Sequence, residues 1–200
     1  MVNLVTVEHI RLHVIEDAGD LISLIGMLDP IVTTTRSQDG DDKAHALRLL
    51  RRLLSRYLVL VVCRLHELPH NNGRTGRTAS IDALLDIAGA QLPGFNCTDI
   101  LKARRKEIIS ELEFDGVRFL DLRSFRTAEI AHSLHRNSMD GDSTLTYSAI
   151  VSFARKTYEL ILEIEQNMVI AGLPSFTDTP YLAEAWQRRG TSFWYDALAR

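Results

Sequence analysis

Residues 123–136 read RSFRTAEIAHSLHR, and they bring arginine and histidine together at short range. The planar guanidinium of arginine offers paired donors that match a phosphate. Histidine exchanges a proton near neutral pH. Arg126 and His132 stand six residues apart. On an uninterrupted helix that is about 600°, so the two do not stack squarely. They converge if the last turn loosens, or if a two-fold axis gathers copies from two subunits. Glu129 is three residues from each and can bridge them. Such a pair in a positive cleft could cut RNA without a metal. His132 would take or position the 2′-hydroxyl proton, and Arg126 would hold the phosphate and stabilise charge on its oxygens. The bland alternative is equally concrete: Arg, Glu and His alternating along a helix edge are ordinarily a solvated face.

Other polar groupings compete with this one or extend it. HNNGRTGRT, residues 70–78, is a polar glycine-containing loop that reads first as a solvent loop, though its Arg74 and Arg77 could follow an RNA backbone. It lacks the Gly-Lys-Ser/Thr of a nucleotide-binding P-loop. Arg48, Arg52 and Arg56 lie four apart and form a basic track or a solvated stripe. His135 and Arg136 lie just past the focal pair and could touch the same ligand or cap a helix end. His66-Glu-Leu-Pro-His70 matches the HExxH zinc pattern, but Pro69 breaks the single helical face that pattern needs. His9 and His13 are four apart and read as surface or core-edge histidines. Glu163 with Glu165, and Asp140 with Asp142, have no spacing that compels two-carboxylate chemistry.

The elements that must position these groups read as helices. Ile10, Val14, Leu21, Ile25 and Leu28 mark a first helix over 7–28, with Thr6 as N-cap and Asp29-Pro30 as its stop. A polar loop is expected over 33–42. The longest helix is expected over 42–68, with Leu47, Leu50, Leu54, Tyr57, Val61 and Leu65 on one side. Its YLVLVVC run has β propensity, but the flanks are helical and no alternating partner strand appears. A helix apolar nearly all round at its middle belongs at the centre of a bundle. A short helix capped by Thr78 or Ser80 should run through Ile87 and end near Gly89. Over 98–112, Ile100, Leu101, Ile108 and Leu112 should face inward, with Lys102, Arg104, Arg105, Lys106 and Glu107 mostly outward. The focal helix is expected over 114–136. Leu120, Phe125, Ile130 and Leu134 form its apolar side, and His132 lies near its C-terminal end, where the helix dipole favours a histidinium. A last long helix should span 147–170, with short aromatic-rich helices at 181–189 and 192–198. These elements predict one all-α domain over 1–200: a bundle of about five main helices.

Composition agrees with a globular domain: 46% hydrophobic residues, 24% charged, and a net charge of -3 that excludes a global positive field. Cys63 and Cys97 show no metal-ligand spacing and suit small buried thiols in a reducing compartment. No signal peptide or membrane span is evident, so a cytoplasmic protein is expected.

The segment LRSFRTAEIAHSL resembles the motif of the HEPN superfamily: an arginine, four to six residues, then a histidine. Arg126-TAEIA-His132 has five intervening residues. The wording is especially similar to the AbiU2-like branch, in which a long helix and a variable basic loop precede the arginine-histidine segment. The resemblance spans about 42–170, with 171–200 as a C-terminal helical extension. It implies an α-helical homodimer and a metal-independent endoribonuclease needing no cofactor, acting as a toxin or phage-defence effector and held by an antitoxin protein. By that match Arg126 has the phosphate role and His132 the general acid/base role. Thr127, Glu129 and Arg123 are then expected to support them, with Arg74, Arg77, His135 and Arg136 as the residues that could bind RNA. Many active members have Asn or Asp directly after the arginine, where this chain has Thr127. That difference and the charge of -3 leave open a second reading, a catalytically silent helical dimer that binds RNA, nucleotide or a protein partner. A zinc hydrolase using His66 and His70 is a third.

Overall fold

Leucine, valine and isoleucine at helical intervals dominate the chain, and the computed structural model turns them into packed helices. It describes residues 7–35, 42–67, 79–114, 118–120, 122–124 and 147–175, with backbone only at 29–35, 42–44, 47, 48, 114 and 147. The main helices are α1 (Val7–Thr35), α2 (Asp42–Leu65), α3 (Ile81–Gln91), α4 (Thr98–Phe114) and α5 (Tyr147–Ile170). No strand occurs among the described residues. The fold is an all-α helical bundle, as the periodicity requires. α1 packs most extensively along α2; α5 packs on α4 and α1; α3 sits across α1 and α4.

The YLVLVVC run is helical. Leu58, Val59, Val61, Val62, Cys63 and Leu65 are all buried, so α2 is enclosed on most sides beyond Tyr57, leaving one edge with half-buried Leu60 and exposed Arg64. Burial of a two-sided apolar surface overrides the β preference of its valines. The helix stops at Leu65, with His66 in a turn, three residues before the expected end. α5 occupies the expected range, and Ile150, Phe153, Ala154, Thr157, Tyr158, Ile161, Ile164 and Met168 are all buried. Its end is closed by Gly172 at φ 99. The Gly172 amide donates to the Val169 carbonyl at 3.0 Å and the Leu173 amide to the Met168 carbonyl at 3.1 Å. This is a Schellman closure, which needs a left-handed residue at that point. Ser80 caps α3, its hydroxyl accepting from the Ala83 amide at 3.3 Å.

Several expectations are corrected. α1 continues through Asp29-Pro30 to Thr35. The antiparallel pairing with α2, over a stretch in which Leu21, Ile25 and Leu28 are fully buried, outweighs the local cost of a proline. α3 passes Gly89 and ends at Gln91. That glycine lets α3 approach the start of α4, because a Cβ there would lie 2.7 Å from the Thr98 hydroxyl oxygen. Ile100 and Leu120, expected inside, are 68% and 64% exposed. Leu122 takes the buried place beside Leu120. Tyr57, expected inside, is 45% exposed, with its hydroxyl on Asp20 of α1. Arg105, expected outside, is buried.

Candidate functional site

Four buried polar groups, His66, Thr157, Arg105 and Asp82, gather where α2 ends. His66 is 1% exposed. Its ring stacks on Phe153 of α5 with centroids 4.9 Å apart, and meets the edge of Phe119 at 5.8 Å. Its Nε2 lies 2.9 Å from the Thr157 hydroxyl, which donates to the Phe153 carbonyl at 2.8 Å. A hydroxyl has one proton to give, so His66 Nε2 must be the donor and Nδ1 the bare acceptor. Burial, with the nearby Arg105 guanidinium adding to it, pushes the imidazole down to about 3, so it is neutral. Arg105 reaches in from α4. Its Nη2 donates to the His66 carbonyl at 2.5 Å and its Nη1 pairs with Asp82 of α3 at 3.1 Å. Burial lowers the Arg105 pKa, and the Asp82 carboxylate opposes that shift.

This cluster clasps four helices and residue 119 at one point. In sequence, the polar stretch 68–78 follows Glu67, and the arginine-histidine segment follows 122–124. The roots of the two stretches singled out for phosphate chemistry are therefore neighbours, joined through the His66–Phe119 contact. Arg123 is half-buried in that second root. Arg126, Thr127, Glu129, His132, His135 and Arg136 lie outside the described residues, as do Arg74 and Arg77. The loop over 70–78, the focal helix beyond Ser124 and the aromatic C-terminal segment lie outside them too.

His66 is built into the core rather than offered to a ligand. A catalytic zinc needs an open coordination position that substrate can reach, and a ring buried against Phe153 and bonded to Thr157 provides none. His70, its partner in the HExxH spacing, lies outside the described residues. Among the described residues no group of three or more His, Cys, Asp or Glu side chains could hold a metal ion. His9 and His13 are exposed, with rings edge-to-face at 4.9 Å, and His13 Nδ1 is 3.3 Å from Glu16. Cys63 and Cys97 are free thiols, the first buried and the second half-buried, with burial pushing the Cys97 thiol up.

A second buried pair escaped sequence reasoning. Arg11 is fully buried on α1, with Nε and Nη2 donating to Glu165 of α5 at 2.8 and 2.6 Å. Its Nη1 donates to the Pro174 carbonyl at 3.0 Å. Glu163, two residues earlier, is exposed, so the two carboxylates diverge. The signal was present in the spacing. Val7, Arg11, Val14 and Ala18 share one helical face, as do Leu101, Arg105, Ile108 and Leu112. An arginine inside an apolar stripe must have a buried partner. At the outer edge of the α1–α2 pair, Arg64 Nε donates to Asp17 at 2.7 Å and the Tyr57 hydroxyl to Asp20 at 3.0 Å. Burial raises the Asp17 pKa against the pull of Arg64, and the bond to Asp20 raises that of Tyr57.

No helix among the described residues is long and apolar enough to cross a membrane. Comparison with protein-family models, with curated proteins and with solved structures finds no match to this chain.

Proposed function

We propose that the chain is a HEPN-type helical homodimer that cleaves RNA in the cytoplasm without a metal, as the toxin or defence partner of an antitoxin. The observation that carries this reading is the Arg126-TAEIA-His132 spacing. The all-α bundle supports it, as does the meeting of the loop root at His66 with the motif root at Phe119. In this reading Arg126 binds the scissile phosphate, and His132 moves the 2′-hydroxyl proton. Arg123, Thr127 and Glu129 orient them, while Arg74, Arg77, His135 and Arg136 hold the flanking RNA. Wild type is expected to cleave RNA in the presence of EDTA. His132→Ala should lower the rate about 10²- to 10⁴-fold with folding intact, and Arg126→Ala should do likewise. No cleavage by wild type, or unchanged cleavage by His132→Ala, overturns it.

Thr127 and the net charge of -3 favour a second reading, a silent dimer that binds RNA, nucleotide or a protein without turnover. It expects saturable binding of at least one of these by wild type with no product formed. A titration in which none binds removes it.

A further inference from the structure

α2 changes its surroundings along its length. Beyond Tyr57 most of its side chains are buried, with Leu60 half-buried and Arg64 exposed, yet Leu49, Leu53 and Tyr57 up to that point are 53%, 51% and 45% exposed. They are four residues apart, so each is displaced about 40° from the last and they form one narrow stripe. Ala46 is exposed and Leu60 half-buried in the same stripe. The resulting 3-4 spacing, 46-49-53 and on to 60, is the seam that a second helix packs against. One border of the stripe is α1, fixed by the bond from Tyr57 to Asp20. Arg52, exposed, and Arg56, half-exposed, stand one turn apart on the other border, and Arg51 is exposed beyond them. No Asp or Glu occurs between Asp42 and Glu67, whereas Lys43, Arg48, Arg51, Arg52, Arg56 and Arg64 do, in a chain whose net charge is -3.

We infer that this face of α2 is a docking seam for an amphipathic helix of another protein, with leucine-type residues on its contact side and carboxylates along its edge. The leucines provide apolar area for a helix, and the arginine border selects acidic flanks. A second copy of the chain is the poorer occupant. Antiparallel pairing of the seam with itself would set Arg52 against its own equivalent. RNA has no use for three exposed apolar side chains, and a stripe this narrow, with α1 on one border, suits one helix better than an acyl surface. The inference stands apart from the ribonuclease reading, since it uses no residue of the arginine-histidine segment.

The test is fluorescence anisotropy with a labelled synthetic helix of three heptads that has a leucine seam and glutamate flanks, beside a twin with lysine flanks. The full chain should bind the glutamate peptide saturably and at least tenfold more tightly than the lysine peptide. Leu53→Glu should weaken the glutamate peptide at least tenfold. Arg52→Glu should weaken it too and strengthen the lysine peptide, a swap that general loss of structure cannot produce. Both sites are exposed, so the variants should keep the wild-type helical circular dichroism. Equal binding of both peptides, or none, overturns the inference. So does light scattering that shows a dimer dissociated by Leu53→Glu, or a loss of binding to a 20-nucleotide RNA or to phosphatidylserine vesicles in that same variant.

Discussion

His66 shows how one side chain can be diverted from chemistry to architecture. Its folded pKa of about 3 lies below the ordinary 6.5. Between those values the unfolded chain binds a proton that the folded chain refuses. Stability from this group is therefore complete above pH 6.5 and is lost as pH falls toward 3. The slope approaches about 1.4 kcal/mol per pH unit within that window. Urea midpoints at pH 7 and 4.5 should differ by an amount equal to about 2–3 kcal/mol from His66, and His66→Phe should flatten that part of the profile. The Arg11–Glu165 pair makes the converse case. Glu165→Gln leaves a buried guanidinium without its counter-charge and should cost about 3–5 kcal/mol in denaturant unfolding. Arg11→Met combined with Glu165→Leu should recover most of that loss, because the pair's attraction is largely spent on its own desolvation.

The bounds of α5 and its eight expected inward positions were legible in the sequence, because those positions follow the helical period, but buried Glu165 on the same helix was not. Its closure at Gly172 also sets the Pro174 carbonyl on Arg11, so the turn and the buried pair are coupled. Gly172→Ala should lower stability by about 1–2 kcal/mol, since a Cβ at positive φ is strained even with open space around it. Calorimetry reads the change as a fall in Tm. At the head of α3, Ser80→Ala should cost about 1 kcal/mol by removing the acceptor for the Ala83 amide. α1 and α4 were less legible. The end of α1 depends on what α2 covers, and the orientation of Arg105 depends on Asp82 and His66, which come from other helices.

The bundle as an assembly brings together His66, Phe119 and Phe153, from the described residues that border two polar stretches in the sequence. If RNA is cut at that end, Phe119→Ala should slow cleavage while leaving the metal independence intact, because it loosens a root and touches no substrate. A rate equal to wild type, in a protein whose Tm has fallen, would separate the aromatic contact from the chemistry. Past Asp42, α2 has no acidic residue, which gives the same molecule a basic, leucine-striped edge distinct from that end in composition.

Periodicity alone was sufficient for the all-α class and for the apolar part of the inward face of α5, because burial of a repeating apolar face is a local pattern with one solution. It was not sufficient for the place of α2, which was expected at the centre and packs chiefly along α1. Arg126 and His132 were nominated by the resemblance of their segment to the HEPN motif, since their spacing alone reads as readily as a solvated helix edge. Which polar side chains go inside was settled only by packing. Arg11, Arg105 and His66 are buried because Glu165, Asp82 and Thr157 approach them from helices distant in the chain. A charge is tolerated in an apolar interior only where such a partner arrives, and its arrival is a property of the folded whole.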